Sequence, residues 1–134
     1  MREIKFRGIT NEFSSPRWVY GDLICDCTDE PRIMTDYHDC YDPVTWTVDP
    51  ATVGQYTGLL DNNGNEIYEG DIVKCASGRI CQVVFFTSDS ACCFDLLPIG
   101  GFDCAPPRKS TLWKDLTVIG NVHDDPGLLK AGGE

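Results

Sequence analysis

The octapeptide TDYHDCYD, residues 35–42, gathers Asp36, His38, Asp39, Cys40 and Asp42. These are side chains that hold divalent metals and activate water. If the segment runs as a strand, His38 and Cys40 share one face and Asp39 takes the other. A metal-dependent hydrolase or nuclease could use such a cluster, while a solvated polar loop accounts for the same residues without chemistry. A second oxygen-rich stretch, DNNGNEIYEGD (61–71), invites comparison with a calcium loop. That loop takes ligands at alternate positions, glycine at the sixth and a carboxylate at the twelfth. Counted from Asp61, Gly64 is fourth and Ile72 is twelfth, so the pattern fails.

Other chemistries find less support. The chain has eight cysteines, in spacings unlike the paired C-x₂₋₄-C that places four thiolates tetrahedrally on zinc. Cys25 and Cys27 form a C-x-C, Cys92 and Cys93 are adjacent, and five residues separate Cys75 from Cys81. Small buried side chains and free thiols are the expectation. If the turn at SGR (77–79) has three residues, Cys75 and Cys81 face each other across a β-ladder. His38 and His123 are the two histidines, and His123 beside Asp124 and Asp125 reads as a strand end entering a capped turn. No serine stands in a G-x-S-x-G elbow, and GLLDNNGN lacks the Gly-Lys-Ser/Thr ending of a phosphate loop. Neither a cofactor nor a metal is expected.

The charge distribution bears on partners. The net charge is −10, and residues 21–50 carry Asp22, Asp26, Asp29, Glu30, Asp36, Asp39, Asp42 and Asp49 against Arg32 alone. Such a surface repels phosphates instead of releasing their counterions, so direct nucleic-acid binding is disfavoured. It is either a solvated face or an acidic surface offered to a basic partner, including one that normally grips DNA. No apolar run approaches the ~20 residues of a membrane span. The start, MREIKFRGI, shows no apolar h-region, which argues for a soluble protein without a signal peptide.

The elements that must carry these groups read as strands. EIKFRGI (3–9) alternates, and RWVYGDLIC (17–25) is aromatic and β-branched, with Gly21 at a bulge or close approach. Residues 26–43 read as acidic loop interrupted by RIM, and VTWTV (44–48) as a strand. Asp49 and Pro50 offer an N-cap and first helical position, for a turn that Gly54 keeps short. Asn63-Gly64 predicts a two-residue type I′ hairpin turn, with positive φ at both residues. Strands follow at IVKC (72–75), ICQVVFF (80–86), ACCFDLL (91–97) and LTVIGNV (116–122). The fold class is therefore mainly β, with small antiparallel sheets and little helix. EGDIVK followed by a turn and ICQVVFF is similar to half of an SH3-like barrel, by analogy. A chain of 134 residues is one domain, divisible into an N-terminal β region (1–50) and a barrel-like β region (51–134).

VGQYTGLLDNNGNEIYEGDIV (53–73) closely resembles the signature of the YopX family, small proteins encoded mainly by bacteriophages and prophages. The resemblance extends to REIKFRG (2–8), WVYGDLI (18–24) and LTVIGNVHDDPGLL (116–129), and so covers nearly the whole chain. It implies a phage or prophage origin in a bacterial cytoplasm, and no reaction. The signature's candidate residues, structural or interacting, are Gly54, Gln55, Tyr56, Gly58, Asp61, Gly64, Tyr68, Gly70 and Asp71. Gly58 and Gly70 are expected at bends, Asp61 and Asp71 on turn backbone, and the Tyr56 and Tyr68 rings over the hairpin with their hydroxyls toward a partner. The leading expectation is a non-enzymatic accessory protein that binds a host or phage protein or itself. An acidic nucleic-acid mimic and a metal-dependent hydrolase using residues 36–42 are the alternatives.

Overall fold

Ten short strands joined by turns make up more than half of the described residues. The computed structural model describes residues 3–25, 30–35, 44–76, 78–87, 92–99 and 115–127. The chain divides into two units, Met1–Tyr56 and Thr57–Glu134, and the division falls inside a strand.

The first unit contains β1 (Phe6–Thr10), β2 (Arg17–Ile24), β3 (Arg32–Thr35), β4 (Val44–Thr47), a 3-10 turn (Pro50–Thr52) and the start of β5 (Gly54–Leu60). Its strands are ordered β4-β3-β2-β1-β5. β1 pairs antiparallel with β2 from Phe6↔Gly21 to Thr10↔Arg17, and with β5 at Phe6↔Gln55 and Arg7↔Gly54. Val19, Ile33 and Val48 are buried together, and Phe6, Phe13, Leu23, Trp46 and Val53 pack around them. The Phe13 and Trp46 rings lie 4.6 Å apart, and the Trp46 indole N–H donates to the Thr35 hydroxyl at 3.2 Å. Asp49 caps the 3-10 turn as expected, its carboxylate accepting the Ala51 N–H at 3.0 Å. Thr52 Oγ1 ties that turn to the sheet by accepting the Ile9 N–H at 2.9 Å.

Two readings of this half meet the structure differently. A side chain at Gly21 would fall on the Met34 carbonyl oxygen, so the expected close approach is real. The segment RIM is not a loop interruption: Arg32–Thr35 is β3, paired with β2 and β4, and Ile33 is fully buried. Four residues flanked by acids give little local signal. Partners on both sides make the strand.

The second unit contains the rest of β5, β6 (Glu66–Tyr68), β7 (Asp71–Lys74), β8 (Ile80–Thr87), β9 (Cys92–Pro98) and β10 (Thr117–Asn121). β5 and β6 are neighbours in a hairpin, and the other strands form an antiparallel sheet ordered β10-β7-β8-β9. Alternation along β8 sends Cys81 and Val83 inward, where they join Ile67, Val73, Leu96 and Leu116. The register places Val83 opposite Leu96 and Cys81 opposite Val73. A register shift between Val118 and Gly120 in β10 leaves Ile119 exposed. The fold is thus mainly β with almost no helix, and no closed barrel forms among the described residues. No helix among them is long and apolar enough to cross a membrane.

The signature hairpin as candidate functional site

The signature residues fall into both units. Gly54, Gln55 and Tyr56 lie in the first, where Gly54 and Gln55 pair with Arg7 and Phe6. Tyr56 is buried, its N–H donates to the Lys5 carbonyl at 2.8 Å, and the Lys5 amino group stands 5.6 Å from the centre of its ring. Gly58, Asp61, Gly64, Tyr68, Gly70 and Asp71 lie in the second.

Asp61 is the hub of that second group. Its N–H donates to the Asn65 carbonyl at 2.8 Å, and its carbonyl accepts the Gly64 N–H at 3.1 Å. Its Oδ1 accepts the N–H groups of Asn63 at 2.9 Å and Asn65 at 2.8 Å. Its Oδ2 accepts the Asn65 side-chain amide at 3.2 Å and the Val118 N–H at 3.0 Å. The next residue, Asn62, donates its N–H to the Leu116 carbonyl at 2.9 Å. One carboxylate therefore closes the β5–β6 turn and fastens it to the chain entering β10.

This geometry corrects the turn type. Among the described residues Asp115 is the one non-glycine with positive φ, so Asn63 does not adopt the left-handed conformation that a type I′ turn requires. Gly64 does, at φ 82°. The Asp61–Gly64 bond encloses Asn62 and Asn63, and the Asp61–Asn65 bond closes a three-residue loop. This is the type I turn followed by a left-handed glycine that three-residue hairpins commonly use. The Asp61 carboxylate holds this loop by accepting both the Asn63 and Asn65 amides.

Burial pushes the Asp61 carboxyl up, but the hydrogen bonds from Val118, Asn65 and Asn63 outweigh it and hold the group below its ordinary value of 3.8. All four donors present hydrogens to the oxygens, which is the electrostatic opposite of a cation site. Among the described residues no group of three or more His, Cys, Asp or Glu side chains converges to hold a metal ion. The 36–42 cluster, with His38 and Cys40, lies outside the described residues.

The second signature turn also pairs an aspartate with a left-handed glycine, but its aspartate follows the turn and reaches back. Asp71 Oδ2 accepts the Tyr68 N–H at 2.8 Å, and Gly70 has φ 93°. The Gly70 N–H donates to the Val83 carbonyl at 2.8 Å, and its carbonyl accepts the Val122 N–H at 3.0 Å, so this one residue joins the middle of β8 to the end of β10. Asp61 and Asp71 thus bond turn backbone as expected. The Tyr68 ring is buried and its hydroxyl donates within the chain, to Glu66 Oε1 at 3.0 Å. Sequence reading overlooked Thr57, which donates its hydroxyl to the Ile67 carbonyl at 2.8 Å, and Val118, whose amide Asp61 satisfies. Asp followed two and four residues on by Asn is a readable side-chain turn signal for the first half of this network. Nothing local points to Val118.

Gly58, at φ 88°, interrupts the alternation of β5. Tyr56 and Thr57 are both buried, and the two residues after the glycine, Leu59 and Leu60, are both exposed, at 41% and 55%. A separate depression of about 340 Å³ in the first unit is lined by Asn11, Glu12, Thr47, Val48 and Asp49. Its carboxylates are engaged by backbone: Glu12 accepts the Thr47 N–H at 2.7 Å, and Asp49 accepts that of Ala51.

A family model described as YopX protein matches residues 5–130. No curated protein matches the chain.

Proposed function

Because the chain belongs to the YopX family, we propose that it is a non-enzymatic protein-binding module of phage or prophage origin, acting in the bacterial cytoplasm. The observation that supports this reading is the division of labour within the signature. Its polar groups Asp61, Asp71, Thr57 and Tyr68 are spent on the chain's own backbone and side chains. Its apolar residues Leu59 and Leu60 are turned outward together by the kink at Gly58. A strand in register would hide one of two consecutive leucines; with Leu59 at 41% and Leu60 at 55% exposed, the second forgoes about half of the roughly 1.5–3 kcal/mol of full burial. Adjacent exposed aliphatics beside a rigid, hydrogen-bonded turn suit an interface with another protein, a second copy of the chain included.

The test compares the parent with a Leu59→Glu/Leu60→Glu variant, in capture of partners from bacterial lysates and in molar mass by light scattering. The parent should recover a defined partner or self-associate, and the variant should do neither while melting at the parent's temperature. Equal capture and equal mass for the two proteins would overturn the reading. The β10-β7-β8-β9 sheet, entered through the Tyr68–Asp71 turn, is read by analogy as half of an SH3-like barrel. Fold analogy of that kind carries no function.

A second reading rests on the charge of residues 21–50, of which Asp22, Glu30 and Asp49 are exposed. In it the acidic segment occupies the nucleic-acid site of a basic host protein. Binding to that protein should weaken steeply with added salt, and neutralising Asp36, Asp39 and Asp42 together should slow association more than it speeds dissociation. A complex indifferent to both treatments would remove this reading and leave the apolar interface standing. The hydrolase alternative predicts a bound metal ion in the purified protein that is lost in His38→Ala.

A further inference from the structure

We propose that Cys75 and Cys81 form a reversible oxidation site, a dithiol that a hydroperoxide converts to a disulfide across the mouth of the β7–β8 hairpin. The two are free thiols whose sulfurs lie 3.8 Å apart. The hairpin holds them there. Lys74 pairs with Ile80 and Val73 with Cys81, and the Cys75 N–H donates to the Arg79 carbonyl at 2.8 Å, closing a three-residue loop. Gly78 takes its turn at φ 89°, and its N–H donates to the Cys75 carbonyl at 2.9 Å, the hydrogen-bond pattern seen at Gly64. The cysteines are therefore diagonal neighbours across the ladder, not directly opposed as the sequence suggested.

Their surroundings assign different roles. Cys81 is buried at 1% exposure among Val73, Val83, Leu96 and Leu116, whereas Cys75 is half-buried at the edge of that cluster. Peroxide reaches Cys75 first. Its thiolate attacks one peroxide oxygen, the S–O bond forms, the O–O bond breaks, and the leaving hydroxide takes a proton to become water. The Cys81 sulfur then attacks the Cys75 sulfenic sulfur, the S–S bond forms and the S–O bond breaks, releasing a second water. Two thiols lose two electrons and two protons, and the peroxide takes up both pairs. Adjacent Cys92 and Cys93, both exposed, are a poorer pair because consecutive strand residues point to opposite faces.

Geometry also sets how long the bond lasts. Diagonal neighbours stand about 7–8 Å apart at Cα, beyond the roughly 4.4–6.8 Å that disulfides span without distortion. The Cys75 end, next to the short loop, must move to close the gap. A disulfide formed under such distortion is easily reduced, as suits a transient mark in a reducing compartment.

The experiment uses the full chain. Treat it with hydrogen peroxide, alkylate the remaining thiols, and digest with trypsin and chymotrypsin. Cleavage after Lys74, Arg79 and Phe85 frees peptides 75–79 and 80–85, each with one cysteine. The expected product is this pair joined by a disulfide, separated again by glutathione and missing from Cys75→Ser. In that variant, which alters a half-buried side chain and leaves Cys81 in its core, Cys81 should survive the same treatment unmodified. Cys75 found as sulfonic acid beside an intact Cys81, linkage of either to another cysteine, or both left reduced while Cys25, Cys92 and Cys93 oxidise would each overturn the proposal. A Cys75–Cys81 bond that withstands glutathione would overturn its reversibility.

Discussion

Replacing Asp61 by asparagine changes hardly any volume yet should destabilise the protein markedly. The carboxylate offers two acceptor oxygens, and the structure aims two donors at each. An amide has one oxygen and one NH₂. If the oxygen takes the Oδ1 place, the Asn63 and Asn65 amides stay satisfied, and the exposed Asn65 side chain can turn its oxygen to the new NH₂, but that NH₂ faces the Val118 N–H, donor against donor. Flipping the amide moves the conflict to the turn. A hydrogen bond to a charged group contributes about 1.5–3 kcal/mol, and a part-buried donor left without an acceptor costs a similar amount. Asp61→Asn should therefore lose about 2–4 kcal/mol near pH 7. Acid supplies an independent check. The folded-state pKa of Asp61 is lowered below 3.8, so its stabilisation is complete above that value and is lost as pH falls through the lower, folded one. The gap between parent and variant should thus be widest near neutrality and narrow below pH 3.8. Urea unfolding at several pH values, with m held in view, reads both effects. Equal midpoints at neutral pH, or a gap that stays constant into acid, would refute the assignment of Asp61 as the hub of the turn.

Three backbone substitutions test the turns and close approaches. Gly64→Val should cost about 1–2 kcal/mol, from the left-handed conformation alone, since a side chain there meets no atom within 4 Å. Asn63→Gly, at a residue without positive φ, should cost no more than roughly 0.5–1 kcal/mol of chain entropy. Thermal melts separate the two, and a Gly64→Val protein that melts like the parent would disprove the tight turn. Gly21→Ala should be far worse, because its methyl would land on the Met34 carbonyl and force β2 from β3. A loss of more than about 3 kcal/mol is expected, beyond ordinary overpacking. Unchanged near-ultraviolet dichroism and melting would show that the strands separate freely.

Much of this protein is written locally. Runs of aromatic and β-branched residues suffice for β2 and β8, because such side chains fit a half-buried pleated surface, and Asp49-Pro50 marks its short helical turn by itself. Glycine at 64 and 70 announces a bend, since few other residues accept positive φ. The deciding contacts are not local. The three-residue loop depends on a carboxylate whose fourth donor lies 57 residues along the chain, and β3 exists because β2 and β4 flank it. The same holds for the 3.8 Å approach of Cys75 to Cys81, set by ladder register, and for the joint exposure of Leu59 and Leu60, set by the kink at Gly58. Periodicity tells which face a residue prefers. Which backbone groups are left unpaired, and which side chain arrives to satisfy them, is decided only when distant strands meet.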